Sequence, residues 1–147
     1  MFRESDFSEE KVKILFSLGA FEDPELLQKV LEFSISDEVR SQDTVEIIYA
    51  VAANKNGKDL AWNFFKQNHD LFSGRYTGSL GSELVGSVIS SFVSEEKADE
   101  IEAYFARKEF PGTDMVLNQA LEKVRINARW VARDSSVFRD YIRSHQK

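Results

Sequence analysis

Apolar residues return at helical spacing through almost the whole chain, and the residues that interrupt them fall in a regular order. Helix-start signals stand at Asp23-Pro24, Lys58-Asp59 and Ser94-Glu95, at nearly one spacing. Each opens an apolar-periodic segment, and a second such segment follows it. Paired helices of this kind cannot bury both faces alone, so neighbours must stack. No segment alternates at period two for long enough to predict a strand. The expected fold is all-α, a right-handed superhelical array of HEAT-like or armadillo-like hairpins with about eight helices.

Residues 1–7 read as an irregular lead, residues 8–134 as stacked hairpins and residues 135–147 as a capping helix, all within one domain, 1–147. The first helix starts at Ser8, buries Val12, Leu15 and Phe16, and stops at Gly19. Asp23 caps a second helix with Pro24 at its first position and Leu27, Val30 and Leu31 inside. Ser41 opens its partner, striped by Val45, Ile48, Tyr49 and Ala52. A helix from Asp59 to Phe72 follows, burying Ala61, Phe64, Phe65, Leu71 and Phe72; a glycine-rich turn leads to one carrying Leu84, Val85, Val88, Ile89 and Phe92. Ser94 caps a helix with Ala98, Ile101 and Phe105 inside, and Phe110-Pro111-Gly112 breaks it. Thr113 then starts a long helix with Leu117, Leu121, Val124, Ala128 and Val131, and a short final helix follows Asp134-Ser135.

The two ends differ. On the final helix Phe138, Tyr141 and Ile142 share one side and Arg139, Asp140, Arg143 and Ser144 the other, as a solvent-facing cap requires. On the first, Val12, Leu15 and Phe16 point one way and Ile14 and Leu18 another, with Phe2, Phe7 and Phe21 nearby. That helix asks for cover on two sides. A missing upstream neighbour, a self-association surface, or a folded-back lead would each supply it.

At 147 residues with 42% apolar content the chain holds enough core to fold unaided, and the absence of cysteine excludes disulfides, thiolate metal sites and cysteine nucleophiles. The longest apolar run, Ile47 to Ala53, falls far short of the roughly 20 residues that span a bilayer, and the acidic N-terminus is no secretory signal. These features point to a cytoplasmic protein without a membrane role. A net charge of −6 argues against nucleic acid as a partner. The charge is uneven: from Arg107 onward nine Lys/Arg face five Asp/Glu, while residues 1–106 carry −10.

No reactive constellation stands out. His69 and His145 are far apart and lack a second ligand at helical spacing, so His69 reads as a surface histidine near a helix end. The run Glu95–Glu102 reads as a solvated face beginning where the helix dipole favours anions. The glycines between Gly78 and Gly86 follow no strand and read as a close-packing surface. Arg125, Arg129 and Arg133 lie at i, i+4 and i+8 and form the best candidate contact for a peptide or acidic partner, through forked hydrogen bonds; a solvated stripe is the plainer alternative. Arg75-Tyr76 offers a second candidate contact, with a buried structural pair as its alternative.

Three stretches carry a resemblance: LLQKVLEFSISDEVRSQDTV from Leu26, AWNFFKQNHDLFSGRY from Ala61, and NARWVARD from Asn127. Together they resemble the C-terminal helical domain of the puromycin-sensitive type of zinc aminopeptidase, from about Leu15 to near His145. The resemblance implies a superhelical array over a thermolysin-like catalytic domain. The family's His-Glu-x-x-His helix, its Gly-x-Met-Glu-Asn strand and its transition-state tyrosine have no counterpart here, so no catalytic or cofactor-binding residue is carried over and zinc is expected only in a separate catalytic domain. The implied role is to cover the active-site chamber and limit or position peptide substrates, with that catalytic domain as partner. A stand-alone interaction scaffold binding an acidic partner is the alternative.

Overall fold

The computed structural model describes residues 8–146, and among them it is entirely helical. The helices are α1 (Ser8–Leu18), α2 (Pro24–Ser34), α3 (Ser41–Ala53), α4 (Lys58–Gln67), α5 (His69–Arg75), α6 (Gly78–Ile89), α7 (Glu95–Arg107) and α8 (Asp114–His145). The caps follow the sequence at two starts. Asp23 Oδ1 accepts from the Glu25 amide ahead of Pro24, and the Ser94 side chain accepts from the Lys97 amide.

Helix α3 packs against α1, α2, α4 and α6; α6 also meets α4 and α8, and α8 meets α7. Trp62 of α4 rests against Tyr104 and Phe105 of α7. Contacts therefore run along two rows, α1, α3, α6, α8 and α2, α4, α7, with one apolar core between them from Leu27 to Val124. The stripes of α2 and α7 are buried as their spacing requires. The small residues of α6 act in packing. A Cβ on Gly81 would stand 2.7 Å from the Tyr76 carbonyl oxygen, and one on Gly86 3.3 Å from Val116 of α8.

The structure departs from the expected segmentation in two places. One expected helix, Asp59 to Phe72, is two: it breaks at Asn68, whose side-chain and backbone amides both donate to the Phe64 carbonyl oxygen, at 2.9 and 3.1 Å, and close the end of α4. Two expected helices are one: α8 runs 32 residues through Asp134-Ser135 without interruption, about 48 Å at 1.5 Å per residue. A polar pair at 134–135 removes no backbone donor, so nothing obliges the helix to stop. The residues assigned to a capping helix thus form the outer half of α8, and Phe138, Tyr141 and Ile142 are exposed. At the start of α8, Thr113 gives no side-chain cap; its hydroxyl donates back to the Phe110 carbonyl oxygen.

Several core assignments also shift. Phe16, Tyr49, Leu71 and Val131 are exposed, with Phe16 edge-on to Tyr49, while Ile47, Val51, Trp62 and Tyr76 are buried. Leu18, from the other face of α1, packs on the core. The lead 1–7 and the side chains of Ser8, Val12 and Leu15 lie outside the described residues.

Candidate functional site

Helix α7 presents one face to α4 and α5 and another to α8, and the candidate chemistry lies along these two seams. On the α8 side, Arg125 Nη2 donates to Asp99 Oδ1 at 2.9 Å and Glu102 Oε2 at 2.7 Å, and its Nε lies 3.5 Å from Glu95. These bonds hold its guanidinium above the ordinary arginine range. Arg129 Nε donates to Glu95 at 3.2 Å. Arg133 forks onto Asp134 at 2.7 and 2.8 Å and its guanidinium lies 5.7 Å from the centre of the Trp130 ring; the fork holds the Asp134 carboxyl below its usual value. The predicted arginine stripe is therefore present, but α7 and α8 supply carboxylates to each member. The acidic run Glu95–Glu102 serves as that counter-surface. Beside it, Glu102, Asn118, Leu121, Glu122, Arg125, Ile126 and Arg129 line an open depression of about 350 Å³.

The other seam is aromatic. His69, expected at the surface, is buried at 2% exposure. The Tyr104 hydroxyl lies 2.9 Å from its Nδ1 and the Glu109 carbonyl oxygen 3.0 Å from its Nε2. A carbonyl can only accept, so Nε2 donates to it, and in the neutral imidazole Nδ1 is then the acceptor for the Tyr104 hydroxyl. Burial, and then the charge of Asp70, push the Tyr104 hydroxyl above its ordinary value and keep it a donor. Aromatic rings of Phe65, Tyr104, Phe105 and Phe110 surround the imidazole. The sequence carried a signal for this: His69 follows Phe65 by one helical turn, on the apolar face.

Trp62 carries the aromatic seam to a charged cluster at its solvent edge. Its Nε1 donates to Glu100 Oε1 at 2.8 Å, and Lys66 and Lys97 bond the same carboxylate at 3.1 and 2.8 Å. Burial acts to raise the Glu100 pKa, but the three donors outweigh it and lower the value to about 2.

The Arg75-Tyr76 pair is split between surface and core. Arg75 is exposed, whereas Tyr76 is 1% exposed against Phe72 and its hydroxyl has no hydrogen-bond partner. Among the described residues no three His, Cys, Asp or Glu side chains gather as a metal site, so nothing there fits a zinc ion. No described helix is long and apolar enough to cross a membrane.

Depressions also lie elsewhere among the described residues. Val45, Glu46, Tyr49, Glu83 and Ser87 line about 270 Å³ between α3 and α6, and Trp130, Val131, Asp134, Ser135, Val137 and Phe138 line an open groove of about 640 Å³ on the outer half of α8.

Residues 1–126 match the family described as ERAP1-like C-terminal domain. Aminopeptidase M1 of Arabidopsis thaliana is 38% identical over 132 residues, covering 89% of this chain and 15% of its own length. Alanine/arginine aminopeptidase of Saccharomyces cerevisiae is 34% identical over 143 residues, 95% of this chain and 16% of its own length. Aminopeptidase 2, mitochondrial, of the same yeast is 34% identical over 142 residues, 94% of this chain and 15% of its own length. The chain thus spans about a sixth of each relative. It belongs to the ERAP1-like C-terminal domain family, and what it matches is a part of each of these aminopeptidases.

Proposed function

We propose that this domain forms part of a cytoplasmic zinc aminopeptidase, covers the active-site chamber of the catalytic domain, and limits or positions peptide substrates without contributing a catalytic residue. Its helices then form a right-handed HEAT-like array whose curved surface walls the chamber, and zinc is held by the catalytic domain. The observation that carries the reading is the match to aminopeptidases along 94–95% of the chain, in a domain whose best-organised polar groups are spent on joining helices. Arg129 and Arg133, exposed along the stripe, are the residues we assign to peptide or partner contact; Arg125 is the clasp that holds α7 to α8. The two-row packing of α1, α3, α6, α8 and α2, α4, α7 supports the array.

The test compares the whole aminopeptidase with a form lacking this domain, using a single aminoacyl fluorogenic substrate and peptides of increasing length. The expected result is turnover of the small substrate by both forms, with the length dependence of kcat/KM present only when the domain is there. An unchanged length profile overturns the reading, as does hydrolysis by this domain alone with added zinc.

A further inference from the structure

Helix α8 is built in two unequal settings. Its last buried residue is Ala128, and residues 130–145 extend about 24 Å past it. The face that packs on α6 and α7 does not end there. Leu117, Val124, Val131 and Phe138 repeat every seven residues, and Leu121, Ala128, Ser135 and Ile142 run beside them. The first two members of each row pack on the domain; beyond them Val131, Phe138 and Ile142 are exposed and Ser135 is half-buried. Trp130, Phe138 and Tyr141 are 64%, 67% and 60% exposed, and Val131, Val137 and Ile142 are exposed with them. At about 150–250 Å² per aromatic side chain these six residues present roughly 600 Å² of apolar surface. That lies at the upper end for the surface of a monomer and within the range of an interface between domains of one polypeptide.

We propose that the outer half of α8 is the surface through which this domain docks on the remainder of the aminopeptidase polypeptide, at an apolar groove with an acidic rim; this rests on the function proposed above. Three observations select that occupant. Relatives six to seven times longer than this chain align over 94–95% of it, so the residues of this helix occur in proteins that carry a large additional body. Residues 129–146 hold four arginines against two aspartates, so pairing two copies of this helix brings like charge together, whereas an acidic rim complements it. A tethered partner is also present at high effective concentration, and a face this size then suffices, whereas two copies would bury only about 1,200 Å², the lower edge for a stable complex.

Trp130 provides the readout. Trp62 is fully buried and Trp130 is not, so acrylamide quenches chiefly Trp130 in the free domain. The domain is mixed with the separately expressed catalytic portion of the same aminopeptidase, and binding is measured by calorimetry beside W130D/F138D, whose unfolding transition serves as the fold control. The expected result is binding that shields Trp130 from quencher and is at least tenfold weaker in W130D/F138D. Binding that leaves Trp130 quenchable and the double variant unaffected overturns this inference and leaves the proposed function standing. No binding by either form overturns both. A dimer of the domain alone, with Trp130 shielded, assigns the face to a second copy and overturns the inference.

Discussion

The two sides of α7 hold their neighbours by opposite means. Toward α4 and α5 it presents Ile101, Tyr104 and Phe105 to a cluster of Trp62, Phe65, His69, Phe72 and Phe110; toward α8 it presents Glu95, Asp99 and Glu102 to arginines. The first seam removes large rings from water, and burial of that kind contributes a few kcal/mol per side chain. The second places charges where solvent already screens them, and such pairs contribute little each. The aromatic side buries large rings against α4 and α5, and the ionic side adds charge pairing where α7 packs on α8.

The largest effect is expected at the centre of the aromatic side. Phe65 is fully buried and touches the rings of Trp62, His69, Phe72, Phe105 and Phe110. Phe65→Ala removes those contacts and leaves a cavity that surrounding rings, fixed by one another, close only in part. The expected loss is about 3–5 kcal/mol, read as a lower urea midpoint at unchanged slope. A loss below about 1 kcal/mol breaks the comparison, because it means that the cluster is no firmer than the ion pairs across the helix.

How far each side was legible follows the same division. The apolar stripe of α7 is buried as its spacing requires, because Ala98, Ile101 and Phe105 answer to one periodicity. For His69 the sequence shows a place on the apolar face, one turn after Phe65, but not the burial itself, since a polar ring is buried only when both nitrogens find partners, and its partners, Tyr104 and the Glu109 carbonyl, lie 35 and 40 residues away. Asn68 marks a helix break that the apolar spacing does not show, its side chain and backbone both bonding the Phe64 carbonyl one turn back. Two departures offset each other in number: one expected helix divides and two fuse, so eight helices are both expected and found among the described residues. The arginine stripe was visible as a stripe. Its carboxylate partners were also visible as an acidic run, but that Arg125 and Arg129 meet residues 95–102 depends on how α7 crosses α8, which no local pattern encodes.

Glu100 sharpens the comparison because it belongs to both regimes, a carboxylate at the solvent edge bonded to the indole of a buried ring. Its folded pKa of about 2 lies below the ordinary glutamate value, so the deprotonated form is the one the fold favours. The stabilisation is therefore complete above the unfolded pKa and is lost as pH falls through the folded one, between about pH 4.5 and pH 2. Glu100 is 42% exposed in its side chain, so solvent screening reduces the effect below what the shift alone suggests. Urea unfolding of the wild type and Glu100→Gln over pH 7 to 2 should show a gap at neutral pH that narrows through this window, since glutamine still accepts from Trp62 but carries no charge. A gap that stays constant to pH 2 removes Glu100 from the acid response.

The smallest effect is expected at Arg125, and it tests the weaker side directly. The guanidinium meets Asp99, Glu102 and Glu95 at once, more contacts than any other charged group on the seam, and its side chain is 24% exposed. Exposed pairs contribute about 0–1 kcal/mol, and a network of three approaches the upper end. Arg125→Met keeps most of the aliphatic stem over Leu121 and removes the charge, so any loss belongs to the ion pairs. It should be about 1 kcal/mol or less in 0.05 M salt and vanish in 1 M salt, where the screening length falls to about 3 Å. The same variant should leave the quenching of Trp62 unchanged, because the indole lies on the far side of α7. A loss above about 2 kcal/mol that persists in high salt contradicts the division, since screening cannot spare a contact that depends on charge through solvent. The α8 seam would then be a buried electrostatic joint equal in strength to the aromatic one.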